Sequence, residues 1–297
     1  MEKRGLGLLG KEDFKKLLIE VSPLLIILIG VALVAFSLGP YQSYDTNLEF
    51  EAASNVARTG VPYVKAYGAA IDEPPLGFYV EALFLRVFGL SAGTGVALMT
   101  LFGLGSVVLM YLLGKELYGK STGLVAAALF GLNPWQLALS RSFLIDTQCL
   151  FLSLLCLFTG VLAVRKGSAK LSLVTGVVFA VAIMTKFYAA FVLIPLLLFY
   201  LYSRPKQPKQ ILSQLAAFSI PALVSATLWY QIYLGQSLLY IFHHNDFADV
   251  IPASTGVTSS PFFVTNFLLN YGLGIYLAVA VVFSLLLGFM LRRYFCQ

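Results

Sequence analysis

The feature that most constrains this chain is a series of apolar segments, most of them close to the length of a membrane span. Eight can be bounded by glycine, proline or charged residues. They cover approximately residues 17–38, 93–113, 122–139, 145–164, 171–185, 187–202, 211–234 and 262–290. A helix that crosses a bilayer needs about 20 mostly apolar residues. The sequence therefore predicts an all-α polytopic membrane bundle of about eight transmembrane helices.

Composition supports the same class. Hydrophobic residues make up 59% of the chain and charged residues 11%, whereas soluble domains are about 45–50% apolar and about 25% charged. The net charge of +6 would suit a nucleic-acid partner in a soluble protein, but here the basic residues flank apolar segments, so membrane lipid is expected instead. We predict a single membrane domain over 1–297, with a core at about 20–205 and further helices with one outer loop in 206–297.

The positions of the basic residues predict the orientation. If the N-terminus lies inside and every segment crosses, fifteen of the twenty Lys and Arg residues fall on the inner side. Inner loops are the ones that carry such an excess. We therefore expect a cytoplasmic N-terminus in the cell (plasma) membrane. Residues 40–92 would form a long outer loop, and about 235–261 a second one.

The first outer loop begins with acidic residues on a predicted helix. Asp45 follows the first apolar segment closely, and residues 46–59 favour a helix that ends at Gly60. Asp45 and Glu49 are four residues apart and share a face of that helix, whereas Glu51 points elsewhere. A second interpretation remains open, in which Asp45 caps the helix and the glutamates face water.

Two prolines, Pro74 and Pro75, predict the start of another short helix in this loop. The helix would cover residues 76–88, which is too short to cross a bilayer, so it is expected to lie at the interface. Its apolar stripe consists of Leu76, Tyr79, Val80, Leu83, Phe84 and Val87. Glu81 and Arg86 lie off this stripe and are expected to face water or lipid head groups.

Other charged residues are predicted at the same membrane level. Arg141 and Asp146 connect the third and fourth apolar segments, and Lys186 lies between the fifth and sixth. Charges so close to hydrocarbon are usually paired or functional. The structural alternatives are an Arg141–Asp146 ion pair and a Lys186 side chain that extends to the interface. The functional interpretation is a site for a lipid with an anionic phosphate, beside an acid that deprotonates an acceptor.

These residues resemble the C-type glycosyltransferases that use polyprenyl-phosphate sugars, a superfamily that includes the protein O-mannosyltransferases and the aminoarabinose transferases of lipid A. The resemblance covers about residues 20–205. The matching motifs, in chain order, are Asp45 with Glu51 and Gly60, then Pro74-Pro75-Leu76, then Ser140-Arg141 with Asp146, and finally Thr185-Lys186. Thr46 stands where this family usually has a second acid, and Glu73 where it has Lys or His.

The resemblance implies an inverting transfer of a sugar from a polyprenyl-phosphate donor to a protein, lipid or glycan acceptor on the outer face. Asp45 would be the general base. The residues expected to bind the substrates are Glu51, Lys65, Glu73, Arg86, Arg141, Asp146 and Lys186. Because Glu73 replaces a cation that holds the donor phosphate in relatives, the other cations, or a bridging Mg or Mn ion, would have to substitute for it.

Two other functions remain open. A lipid or sugar transporter would place ionisable residues at mid-helix depth, whereas the charges here cluster at the outer ends. A non-catalytic or truncated partner of a larger enzyme is favoured by Thr46 and Glu73, and relatives continue through more helices, so the chain is either a minimal member or a fragment. His243 and His244, with Asp246, either bind a metal or face water. No ligand set for a resident metal is predicted.

Overall fold

A computed structural model describes residues 11–67, 69–70, 73–203 and 208–229. All of them belong to one of two units into which the chain divides, Met1–Tyr233. The described helices, numbered α1 to α10, are Lys11–Leu38, Tyr44–Thr59, Leu76–Phe88, Ala92–Tyr118, Lys120–Gly131, Pro134–Ser140, Ile145–Lys166, Ala169–Thr185, Leu193–Ser203 and Pro208–Trp229. The short elements are strands β1 (Tyr63–Val64) and β2 (Ala69–Ala70) and 3-10 helices at Lys65–Tyr67 and Phe187–Val192.

Seven of the eight predicted apolar segments coincide with helices, and the eighth, 262–290, lies outside the described residues. Within the described ranges, three helices are long and apolar enough to cross a membrane: Val21–Leu38 of α1, α4 and α7. The bent pair α5–α6 is a fourth candidate. The helical membrane architecture is thus confirmed, whereas the count of eight spans stays a prediction.

The prediction of one continuous helix over 122–139 is wrong in detail. This segment is broken into α5 and α6, whose axes meet at an angle of 67°. Asn133 causes the break together with Pro134. The Asn133 side-chain oxygen accepts a hydrogen bond from the Trp135 amide at 2.9 Å, and Pro134 occupies the first helical position, where no amide hydrogen is needed. A new helix therefore begins there in a new direction.

The two short helices predicted in the first loop are both present. The helix α2 ends at Gly60, whose φ of +81° is the left-handed conformation that glycine adopts readily. Its N-cap is Ser43, which forms reciprocal hydrogen bonds with Thr46. The alternative in which Asp45 caps the helix is therefore wrong. The helix α3 follows Pro74 and Pro75, as predicted.

The orientation of α3 differs from the prediction at one residue. Half of the predicted stripe is exposed, with Leu83 and Val87 about two-thirds exposed (66% and 67%), whereas Phe84 packs against a buried apolar cluster. Arg86 is exposed as expected, but Glu81 is completely buried. The opposite face of α3, which carries Phe78 and Leu85 besides Glu81, packs against the protein. The helix is apolar on two faces, and the sequence analysis assigned only one of them.

The segment 44–88, which we call the platform, packs onto the ends of the membrane helices. It contains α2, α3 and the antiparallel hairpin β1–β2, which the sequence analysis did not predict. One buried apolar cluster joins Leu48 of α2 and Phe78 of α3 to Met99 of α4 and Ile145 of α7. The platform is therefore built onto the bundle and is not an independent loop.

The helices α4 and α5 approach each other closely through Gly114 and Gly123. A Cβ atom added at Gly123 would lie 2.6 Å from the carbonyl oxygen of Tyr111 and 2.8 Å from the amide nitrogen of Lys115. Small residues allow such backbone contact between membrane helices. Gly123 is therefore required by space and not by backbone conformation.

We predict that Gly123→Ala destabilises the protein by about 1–3 kcal/mol, because the added methyl group meets backbone atoms that cannot move independently. The measurement is thermal unfolding of the detergent-purified protein. Gly30→Ala is the matched control, since Gly30 is also helical and a Cβ there would meet no atom within 4 Å. Equal melting temperatures for the two variants would contradict this close packing.

Candidate functional site

Lys186 is a buried cation at the centre of a group of three acids, of which Glu49 is buried and Glu73 and Asp146 are partly exposed. Its side chain is only 9% exposed, and its Nζ atom lies 2.8 Å from Asp146 Oδ2, 3.1 Å from Glu73 Oε1 and 3.9 Å from Glu49 Oε1. We call these four residues the Lys186 cluster. Lys186 therefore does not extend to the interface as a single solvated charge, and that alternative is wrong.

The chain conformation around residue 186 explains this placement. The helix α8 ends at Thr185, and Lys186 is extended (φ −157°, ψ 131°) before the 3-10 helix begins. Gly77 allows α3 to approach this junction, since a Cβ atom there would lie 3.1 Å from Thr185 Cγ2 and 3.2 Å from Ile145 Cγ2. The start of α3 is thus held against the ends of α7 and α8.

Glu49 links the platform to the start of α7. Its side chain is buried, and Glu49 Oε2 accepts a hydrogen bond of 2.7 Å from the Ile145 amide. This amide belongs to the first turn of α7, where backbone N–H groups have no partner inside the helix and favour an anion. The spacing of Glu49 and Asp45 predicts that they share a helical face, but the place of Glu49 in this site was not predicted.

The charges of the cluster affect one another's ionisation. Burial raises the pKa of Glu49 well above its usual value, and the neighbouring Glu73 and Asp146 raise it further, against the opposing effect of Lys186. Burial alone would lower the pKa of Lys186, but Glu73, Asp146 and Glu49 together raise it above its usual value. Lys186 is therefore held as a cation, and the cluster has more carboxyl groups than its single positive charge requires.

Arg141 does not pair with Asp146, so the ion-pair alternative is wrong. Its guanidinium donates to the carbonyl oxygens of Leu137 at 3.0 Å, Leu38 at 3.1 Å and Gly39 at 2.6 Å. The last two lie at the C-terminal end of α1, where carbonyl groups favour a cation. These partners are neutral, and among the described residues no carboxylate pairs with Arg141, so within that part of the chain its positive charge is left for an anion.

Asp45 is exposed in the first turn of α2, one helical turn before Glu49. Four residues correspond to a rise of about 6 Å along a helix, so the two carboxyl groups lie on one face, one in solvent and one in the cluster. The segment before it is fixed by a hydrogen bond of 3.0 Å from the Tyr41 amide to the Arg141 carbonyl oxygen. Asp45 is therefore an accessible acid on a fixed support.

The other predicted substrate-binding residues are outside the cluster. Glu51 Oε1 accepts a hydrogen bond of 3.0 Å from the Lys65 amide and so ties α2 to the hairpin segment. Lys65 is exposed, and so is Arg86 in the last turn of α3. Among the described residues, neither cation forms an ion pair with Glu49, Glu73 or Asp146.

Glu81 is a buried acid that the sequence analysis placed in water. Its side chain has no exposed surface, and neither carboxyl oxygen has a hydrogen-bond partner among the described residues. Burial raises the pKa of Glu81 well above its usual value, and the nearby charges of Glu49 and Glu73 raise it further. Glu81 therefore favours its uncharged form. The available signal was its position among Phe78, Ala82 and Leu85, which form a second apolar face.

Metal ligands are not grouped in the part of the chain that the structure describes. Within those ranges, no three His, Cys, Asp or Glu residues are arranged to hold a metal ion. Glu49, Glu73 and Asp146 instead surround the ammonium group of Lys186. His243, His244 and Asp246, for which a metal site was one interpretation, lie outside the described residues.

Comparison with known proteins identifies the class to which this membrane bundle and its charged platform belong. Residues 72–230, just over half of the chain, match the family described as dolichyl-phosphate-mannose-protein mannosyltransferase. The chain belongs to this family. Its apolar helices and its family together indicate an integral membrane protein.

Two curated relatives come from Bacillus subtilis (strain 168). The protein named "Putative mannosyltransferase YkcB" is 31% identical over 157 residues, which is 52% of this chain and 22% of that protein. The protein named "Putative mannosyltransferase YycA" is 31% identical over 132 residues, or 44% of this chain and 19% of that protein. The chain thus matches about a fifth of the length of these relatives.

We predict that Glu81→Gln stabilises the protein and that the gain grows as the pH rises from about 4 to 8. In the unfolded chain Glu81 ionises near its usual pKa, so above that pH folding must either protonate it or bury its charge. The native protein therefore loses stability as the pH rises, whereas the neutral amide does not.

Thermal unfolding of both proteins across this pH range measures the effect. Glu116→Gln is the control, because Glu116 is a partly exposed glutamate that pairs with Arg165. A difference between Glu81→Gln and the native protein that is the same at every pH would show that Glu81 is not buried as the neutral acid.

Proposed function

We propose that this chain is a membrane glycosyltransferase, or the membrane core of one, that transfers a sugar from a polyprenyl-phosphate donor to a protein, lipid or glycan acceptor. One observation carries the proposal. Three motifs of the resemblance meet at the Lys186 cluster: Glu73 precedes the Pro-Pro pair, Asp146 follows Ser-Arg, and Lys186 follows Thr185. Glu49, from the helix that begins next to Asp45, joins them.

In the proposed reaction Asp45 is the general base. The acceptor oxygen or nitrogen forms a bond to C1 of the sugar while the bond from C1 to the phosphate oxygen breaks. The bonding electron pair leaves with the lipid phosphate, and the acceptor proton passes to the Asp45 carboxylate. Attack opposite the leaving phosphate inverts the configuration at C1. The exposure of Asp45 supports this role, because the acceptor must reach it.

Arg141 is the cation best placed to stabilise the leaving phosphate. Its partners among the described residues are neutral carbonyl groups, so a phosphate would not have to compete with a carboxylate for its charge. A charge-assisted hydrogen bond from such a group contributes roughly 1.5–3 kcal/mol. Lys186, by contrast, already has carboxylate partners at 2.8 and 3.1 Å.

The first prediction from this proposal concerns Asp45. Asp45→Asn should lower sugar transfer at least a hundredfold, because the amide has no basic oxygen for the acceptor proton. Stability should be unchanged, since the side chain is exposed and Ser43 caps the helix. The measurement is product formation from a radiolabelled polyprenyl-phosphate sugar in proteoliposomes.

Asn47→Asp is a suitable control for this assay, because Asn47 is exposed on the same helix and the variant changes charge without removing the base. Turnover of Asp45→Asn near the native rate would exclude the general-base role. Native protein that binds the donor but releases no product would favour the non-catalytic alternative.

The second prediction concerns the face of the membrane on which the reaction occurs. The proposal places the platform outside and the N-terminus in the cytoplasm of a cell membrane. In a protein lacking Cys149, Cys156 and Cys296, Asn47→Cys should react with an impermeant thiol reagent in intact cells, because this position is exposed. Ala53→Cys, at a fully buried position on the same helix, is the negative control. Reaction of Asn47→Cys only after lysis would reverse the topology.

A further inference from the structure

Glu73 differs in its placement from the other two carboxylates of the Lys186 cluster. Glu49 is almost fully buried (6% of its side chain is exposed) and is held by the Ile145 amide. Asp146 is 36% exposed, but it belongs to the first turn of α7 and forms the shortest contact with Lys186, at 2.8 Å. Glu73 is 23% exposed and lies outside any helix, before Pro74 and Pro75. Among the three carboxylates, Glu73 is thus the one that combines a partly exposed side chain with a backbone outside any helix, and its contact with Lys186 is longer than that of Asp146 (3.1 against 2.8 Å).

Charge balance at Lys186 limits what else can bind there. Three carboxyl groups already lie within 4 Å of its ammonium group. A phosphate that approached this cluster unchanged would meet an excess of negative charge in a poorly solvated place, and like charges repel strongly there. If Glu73 moved away, Lys186 would keep Asp146 at 2.8 Å, and the incoming anion would replace one negative charge by another.

We propose that Glu73 occupies the position on Lys186 that a lipid phosphate takes when it binds, so that phosphate and carboxylate exchange at one cation. This inference rests on the proposed function, and it makes Glu73 a residue that sets the strength of phosphate binding. In this exchange Glu73 competes with the phosphate for the ammonium group of Lys186.

Binding of polyprenyl phosphate to the detergent-solubilised protein tests the exchange. We expect Glu73→Gln, which keeps the shape but removes the charge, to bind it about tenfold more tightly than the native protein, since one charged competitor for Lys186 is gone. Glu116→Gln is the control: Glu116 is also an ion-paired, partly exposed glutamate, but its partner is Arg165. That variant should bind as the native protein does.

A second measurement can be made first on the native protein, where it does not depend on the folding of a variant. Modification of Lys186 by acetic anhydride, read by mass spectrometry, should slow in the native protein when polyprenyl phosphate is added, because the phosphate covers the ammonium group. In Glu73→Gln without ligand, modification should be faster than in the native protein, since one covering carboxylate is lost. Phosphatidic acid in place of polyprenyl phosphate shows whether the head group alone is sufficient.

The outcomes separate the two proposals. If the native protein and both variants fail to bind polyprenyl phosphate, the proposed donor is wrong and the exchange is wrong with it. If the native protein binds it but Glu73→Gln binds equally or more weakly, or if Lys186 is not protected, only the exchange is overturned. Equal protection by phosphatidic acid would support exchange at the phosphate and exclude recognition of the polyprenyl chain.

Discussion

The neutralisation of one buried ammonium group determines how this end of the molecule is assembled. Transfer of a lysine out of water costs several kcal/mol unless it is paired. Lys186 obtains its partners from three separate parts of the chain: Glu49 on α2, Glu73 before α3 and Asp146 on α7. The platform must therefore close onto the bundle for the charge to be compensated. Loss of one member of such a buried pair typically costs about 3–5 kcal/mol.

The loop between α6 and α7 fixes the remaining elements around this cluster. Thr100 of α4 donates to the Ser140 carbonyl oxygen at 3.0 Å, and Arg141 binds the end of α1. The Ile145 amide binds Glu49. The residues on either side of Asp45 are thus held from the same loop, through Tyr41 before it and Glu49 after it. An exposed acid with such a support keeps its position without being buried, which is what a base for an incoming acceptor requires.

Local features of the fold were predictable from the sequence because their causes are local. Gly60 ends α2, Pro74 and Pro75 precede α3, and the apolar segments are helical. The break at Asn133 was also visible, since an asparagine followed by proline is a helix start. The partners of Lys186 were not predictable, because residues 49, 73 and 146 reach it only through tertiary packing. Glu81 was misplaced for the same reason: which of two apolar faces of α3 meets the protein depends on α7 and α8.

The proposed reaction moves one negative charge from Asp45 to the lipid phosphate, close to a site that already has an excess of acids. In the proposed reaction the donor carries one negative charge and Asp45 another. Afterwards the lipid phosphate carries two and Asp45 none, so the total is conserved while one charge moves from the acid to the phosphate. A phosphate that becomes a dianion needs cations, and the partners of Arg141 among the described residues are neutral carbonyl groups. Lys186 contributes its full charge to the phosphate only when a carboxylate leaves it.

Glu73 is the cluster member whose backbone lies outside any helix. In the proposed exchange, Glu73 weakens binding of the singly charged donor, and the doubly charged product displaces it from Lys186 more readily than the donor does. The chemistry and the exchange at Lys186 are thereby coupled through charge alone.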